Sequence, residues 1–113
     1  MNGTISVINM RDDWPDVAAS EKQTYLYVGR PSVLGNPFAM GHERDRDLVI
    51  AAYRRWLHAR YKQNTNQRMY ILMLVDAIKS GSDVVLGCWC HPKECHADVI
   101  AELVRNIIDC EDL

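Results

Sequence analysis

Two stretches of this chain hold side chains able to do chemistry. The first is residues 88–96, Cys-Trp-Cys-His-Pro-Lys-Glu-Cys-His, which gathers Cys88, Cys90, Cys95, His91 and His96 out of 4 cysteines and 4 histidines in the whole sequence. Three chemistries suit this set. Zinc takes thiolate and imidazole ligands in a tetrahedron, so Cys88, Cys90, Cys95 and His96 form a candidate metal set, although the usual Cys-x-x-Cys knuckle is absent. A reactive thiol is the second: Cys95 or Cys90 as nucleophile, with His91 or His96 as its base. In the third, the cysteines are small core hydrophobes and His96 caps a helix or bonds a backbone carbonyl. All three stay open at the level of sequence. The catalytic candidates are Cys95 and His96. A thiol at Cys95 would stand where a helix begins, where unpaired N–H groups and the helix dipole favour negative charge.

The second stretch is residues 29–38, Gly-Arg-Pro-Ser-Val-Leu-Gly-Asn-Pro-Phe. Arg30 can present a planar fork of donors to a carboxylate or phosphate. Ser32 and Asn36 add neutral donors, Gly29 and Gly35 permit close backbone approach, and Phe38 can stack on a ring or anchor the loop. Arg30, Ser32 and Asn36 are therefore the ligand-binding candidates. The competing reading is a structural loop in which Arg30 pairs with a nearby acidic residue. The glycine spacings of a Walker loop or a dinucleotide fingerprint are missing.

These stretches need elements to position them. Residues 4–10 alternate polar and apolar, as in a half-buried strand. Residues 11–23 are polar and read as a loop, with a helical turn around 16–20. Thr24-Tyr25-Leu26-Tyr27-Val28 is aromatic and β-branched, a second strand that Gly29 ends. Residues 45–62 read as a helix, with Asp45 at its cap and Val49, Ala52, Tyr53, Trp56 and Leu57 as its apolar stripe. Residues 67–79 form another, with Ile71, Leu74, Val75 and Ile78 at core spacing. Residues 84–89 run continuously apolar, which suits a strand buried on both faces. Residues 97–108 close the chain as a helix carrying Val99, Ile100, Leu103 and Ile107 on one face. The order β-β-α-α-β-α predicts an α/β fold with a mostly parallel sheet flanked by helices. In such sheets ligands bind beyond the carboxyl ends of the strands. The loop after the second strand and the turn after the third are then expected to share one pocket.

Composition sets the outer limits. The length of 113 residues suits a single domain, residues 1–113, and 48% hydrophobic with 25% charged residues is an ordinary globular balance. A net charge of −2 argues against a general affinity for nucleic acid or membrane. The basic run Arg54, Arg55, His58, Arg60 and Lys62 reads as a solvated helix face. No apolar run reaches the length of a membrane span, and the first residues lack a secretory pattern, so a cytoplasmic location is expected.

The residues also carry a resemblance. Residues 27–38, the segment with Arg46, Val49-Ile50 and Tyr53-Arg54, and residues 86–101 together resemble the uncharacterised bacterial and phage family called domain of unknown function 4326. The likeness spans nearly the whole chain. Where that family often carries glycine after its closing Cys-His, this chain has Ala97, which narrows backbone freedom at the helix start. The resemblance implies no reaction and no substrate, but it supports treating the two stretches as one site. The expected function is binding of a small phosphorylated or nucleotide-like ligand. A non-catalytic module that docks on a host protein and a zinc-stabilised nucleic-acid accessory protein are the alternatives.

Overall fold

Pairing of three short strands organises the chain. In this computed structural model, residues 2–10, 23–38, 45–89 and 95–111 are described. Strands β1 (Ile5–Asn9), β2 (Gln23–Tyr27) and β3 (Asp83–Cys88) form one sheet in the order β1-β3-β2. Both pairings are parallel, with Val7 and Leu26 each opposite Leu86. Helices α1 (Arg46–Tyr61), α2 (Asn66–Lys79) and α3 (His96–Glu111) complete the α/β order read from the sequence.

The apolar run becomes the middle strand because only that position buries a strand on both faces. Val84, Leu86 and Cys88 point into the main core, while Val85 and Gly87 are buried on the opposite face beside Ser6 and Tyr25. Helices α2 and α3 lie against the sheet, and α1 packs across both of them. Their inward residues, among them Tyr53, Leu57, Ile71, Leu74, Ile100 and Val104, belong to the same cluster as Ile5, Val28 and Leu86.

Local signals explain the helix limits. Thr65 caps α2 by accepting the Arg68 N–H at 3.1 Å, so the helix starts one residue before the expected 67. Gly81, at φ 97°, takes the left-handed conformation needed to leave α2 and enter β3. Asp45 stands at the cap position of α1, but its side chain makes no capping bond. The buried stripe of α1 is Ile50, Tyr53 and Leu57, rotated from the expected one. Val49 turns to a surface cleft instead of the core.

The loop after β2 is held from several sides. Its backbone closes on itself through Ser32 N–H to Gly29 O and Gly35 N–H to Ser32 O, both 2.9 Å. The fully buried Tyr53 hydroxyl donates to Leu34 O at 2.6 Å, and Gln67 Nε2 donates to Val33 O at 3.1 Å. The bond to Leu34 reaches a carbonyl that water cannot replace. Tyr53→Phe should therefore lower stability by roughly 1–3 kcal/mol, read as a lower urea midpoint with an unchanged slope.

Candidate functional site

Because β2 and β3 are parallel neighbours, the chain leaves both at the same rim of the sheet. Between these exits and the start of α1 lies a cleft of about 400 Å³. Arg30, Asn36, Phe38, Cys95 and His96 all line it, together with Tyr27, Trp89, Arg46 and Val49. The structure thus brings four sequence candidates, Arg30, Asn36, Cys95 and His96, to one wall. Ser32 lines a different hollow, of about 250 Å³ beside Leu26 and Tyr70, and its hydroxyl is buried and unbonded. Cys88 is buried directly behind Cys95, with Sγ to Sγ 3.2 Å. Cys90 and His91 lie outside the described residues.

Arg30 is fastened as well as exposed. Its Nε donates to Asn36 O at 2.6 Å and its Nη2 to Phe38 O at 2.7 Å. Two of its five N–H groups are thereby used. Its partners are carbonyls of its own loop, in place of the acidic residue of the competing structural reading. Asn36 Oδ1 accepts the Phe38 N–H at 2.8 Å, which makes Asn36 a loop-closing residue.

The aromatic side of the cleft is also pre-arranged. Trp89 Nε1 donates to Tyr27 Oη at 3.1 Å, and Tyr27 Oη donates to Arg30 O at 2.8 Å. Gly29 makes this possible, since a Cβ there would collide with the Tyr27 ring end. With both donors engaged, Tyr27 and Trp89 offer ring surface. Trp89 is 54% exposed.

The floor is neutral. His96 is buried, and its Nε2 faces Val28 O, which can only accept, so Nε2 carries the proton. The ring also packs edge-on against Tyr53, with centroids 5.2 Å apart. Burial above all, with Arg30 adding repulsion, holds the imidazole pKa below its ordinary value of 6.5. At Cys95, the S–H donated to Cys88 and then burial push the thiol pKa up, so it stays protonated at neutral pH. Burial does the same to the Tyr53 phenol.

Cys95 is also the cap of α3. Its sulfur accepts the Ala97 N–H, its own N–H donates to Asp98 Oδ2 at 2.9 Å, and Asp98 N–H returns to Cys95 O at 3.0 Å. The chain's own groups take up this helix end, and among the described residues the cleft is lined by the cationic groups Arg30 and Arg46 and by no carboxylate. A larger hollow, about 540 Å³, opens at the other end of the sheet, but its Arg105 is bonded to Ile5 O and Asp109 shares its wall. Among the described residues no three His, Cys, Asp or Glu side chains are placed to hold a metal ion. Two residues of the basic run of α1 are engaged within the chain, Arg54 with Glu102 at 2.8 Å and Arg60 with Gln67 at 3.0 Å, while Arg55 and Lys62 are exposed.

A family model described as a domain of unknown function, DUF4326, matches residues 15–106. The chain belongs to this family. No curated protein and no solved structure matches it. Both stretches that resembled the family, with Arg46 between them, fall inside the matched region and border the cleft. Arg46, Tyr27, Trp89 and Val49 were not among the sequence candidates. All four stand within the segments that carried the resemblance, and which way each side chain faces depends on packing. No described helix is long and apolar enough to cross a membrane.

A buried imidazole with a lowered pKa sets a pH dependence. Unfolding restores its pKa to 6.5, so its contribution to stability is complete above pH 6.5. That contribution falls as pH drops below that value and through the folded pKa. The urea midpoint should therefore be higher at about pH 7.5 than at about pH 5.5, and His96→Gln should shrink that difference.

Proposed function

We propose that the cleft binds a small phosphorylated, nucleotide-like molecule. The observation that carries this reading is the state of Arg30: fixed by two carbonyls, exposed, and still holding unused N–H donors beside Arg46. In a chain of net charge −2, a cleft whose described lining holds two arginines and no carboxylate favours an anion. The planar guanidinium fork suits paired acceptor oxygens of a phosphate.

The aromatic wall supports the second half of the reading. Tyr27 and Trp89, with their polar atoms engaged, would meet a planar ring face to face, as Phe38 could from the loop side. Asn36 can donate to a ring or sugar oxygen. A volume of about 400 Å³ lies at the small end of ligand sites, which suits one nucleotide unit. Cys95 and His96 then form a neutral floor, able to meet uncharged polar atoms without repelling the anion.

Titration calorimetry with nucleoside monophosphates, the parent nucleosides and ribose 5-phosphate tests this. Monophosphates should bind best, weaken with salt, and quench tryptophan fluorescence. Trp89→Leu should weaken them about tenfold, since base stacking contributes on the order of 1–3 kcal/mol. Arg46→Gln should weaken monophosphates but not nucleosides. An absence of heat across the whole panel sinks the proposal. Equal binding of ribose 5-phosphate removes the ring and leaves only the anion.

A further inference from the structure

We infer that Cys88 and Cys95 form an oxidative modification site, a dithiol that a low-molecular-weight disulfide converts into an intramolecular bridge at the floor of the cleft. Cys88 ends β3 and Cys95 directly precedes α3. Neither is in a disulfide, both are buried, and their sulfurs stand 3.2 Å apart. A disulfide closes that gap to about 2.05 Å, so the sulfurs need to approach by little more than an ångström. The remaining cysteine of the described residues, Cys110, is exposed on the last helix, far along the chain from this pair.

Access and chemistry agree. Cys95 lines the cleft, and Cys88 sits behind it, 1% exposed. The oxidant therefore meets Cys95 first. Attack by Cys95 sulfur on the small disulfide breaks its S–S bond, forms a mixed disulfide and releases one small thiol. Cys88 sulfur then attacks the Cys95 sulfur, forming the protein S–S bond and releasing the second small thiol. The two cysteine protons leave on the two released thiols, and two electrons pass from the cysteine pair to the oxidant. The protonated state of Cys95 makes the first step slow, while the short sulfur-to-sulfur distance makes the second intramolecular and fast.

The bridge changes the cleft. It draws the Cys95 sulfur away from the cavity and toward β3, and it ties the strand exit to the first turn of α3. Where a nucleoside monophosphate occupies the cleft, a consequence that rests on the proposed function, it shields Cys95 and slows the reaction.

The test treats the folded, reduced chain with oxidised glutathione and with the smaller hydroxyethyl disulfide, in the native sequence and in a Cys90→Ser, Cys110→Ser variant. In the variant the thiol count measured in denaturant should fall from two to none, with a mass loss of about 2 Da and no retained adduct. Peptide mapping of the native chain should join Cys88 to Cys95. The smaller oxidant should react at least as fast as the larger. Two thiols surviving in the folded variant, an adduct that never resolves, or a bridge that maps to Cys90 would each overturn the inference. One tightly bound zinc per chain that keeps both thiols from reacting would also overturn it. The bridge is read without ligand, so failure of nucleotide binding leaves this result standing on its own.

Discussion

The imidazole of His96 joins two parts of the chain that are 68 residues apart. It sits in the first turn of α3 and bonds the carbonyl of Val28, the residue at which β2 gives way to the arginine loop. That carbonyl is buried and needs a donor, and the imidazole is buried and needs an acceptor, so each answers the other. Tyr53 of α1 packs against the same ring and bonds the loop at Leu34. Sheet, loop and two helices therefore meet on one neutral histidine. The neutrality is a condition of the arrangement, because a second proton on a buried ring facing Arg30 adds uncompensated charge.

Around this point the polar groups divide between those that hold the fold and those left to face solvent. Asn36 Oδ1, the Tyr27 hydroxyl, the Trp89 indole N–H and the cap of α3 are all engaged within the chain. Arg30 divides its donors, some to its own loop and some outward. A guanidinium oriented by backbone carbonyls loses little further freedom when it meets an anion, and that preorganisation is what distinguishes it from an ordinary surface arginine. Arg54 and Arg60, by contrast, are paired with Glu102 and Gln67 within the helical layer.

The cysteine cluster reads differently once folded. Spacing alone allowed metal binding, nucleophilic chemistry or simple packing. Geometry makes Cys95 a helix cap and a thiol donor to Cys88, with both sulfurs withdrawn from water. A protonated, hydrogen-bonded thiol is a weak nucleophile.

The order of elements, the parallel sheet and the central place of residues 84–88 could be read from sequence, because apolar periodicity and a run buried on both faces leave few alternatives. The same logic placed the loop after β2 and the turn after β3 at one rim. Only the folded chain decided where individual side chains point. Ser32 and Arg30 are two residues apart in one loop, yet the turn from Gly29 to Gly35 sends them to different hollows. Val49 looked like core by spacing but faces the cleft, since α1 turns Ile50, Tyr53 and Leu57 toward the other helices. The link from Trp89 through Tyr27 to the Arg30 carbonyl has no sequence signature at all. Periodicity reports burial averaged along an element, whereas a site is made of contacts between elements, and those exist only after the chain has packed.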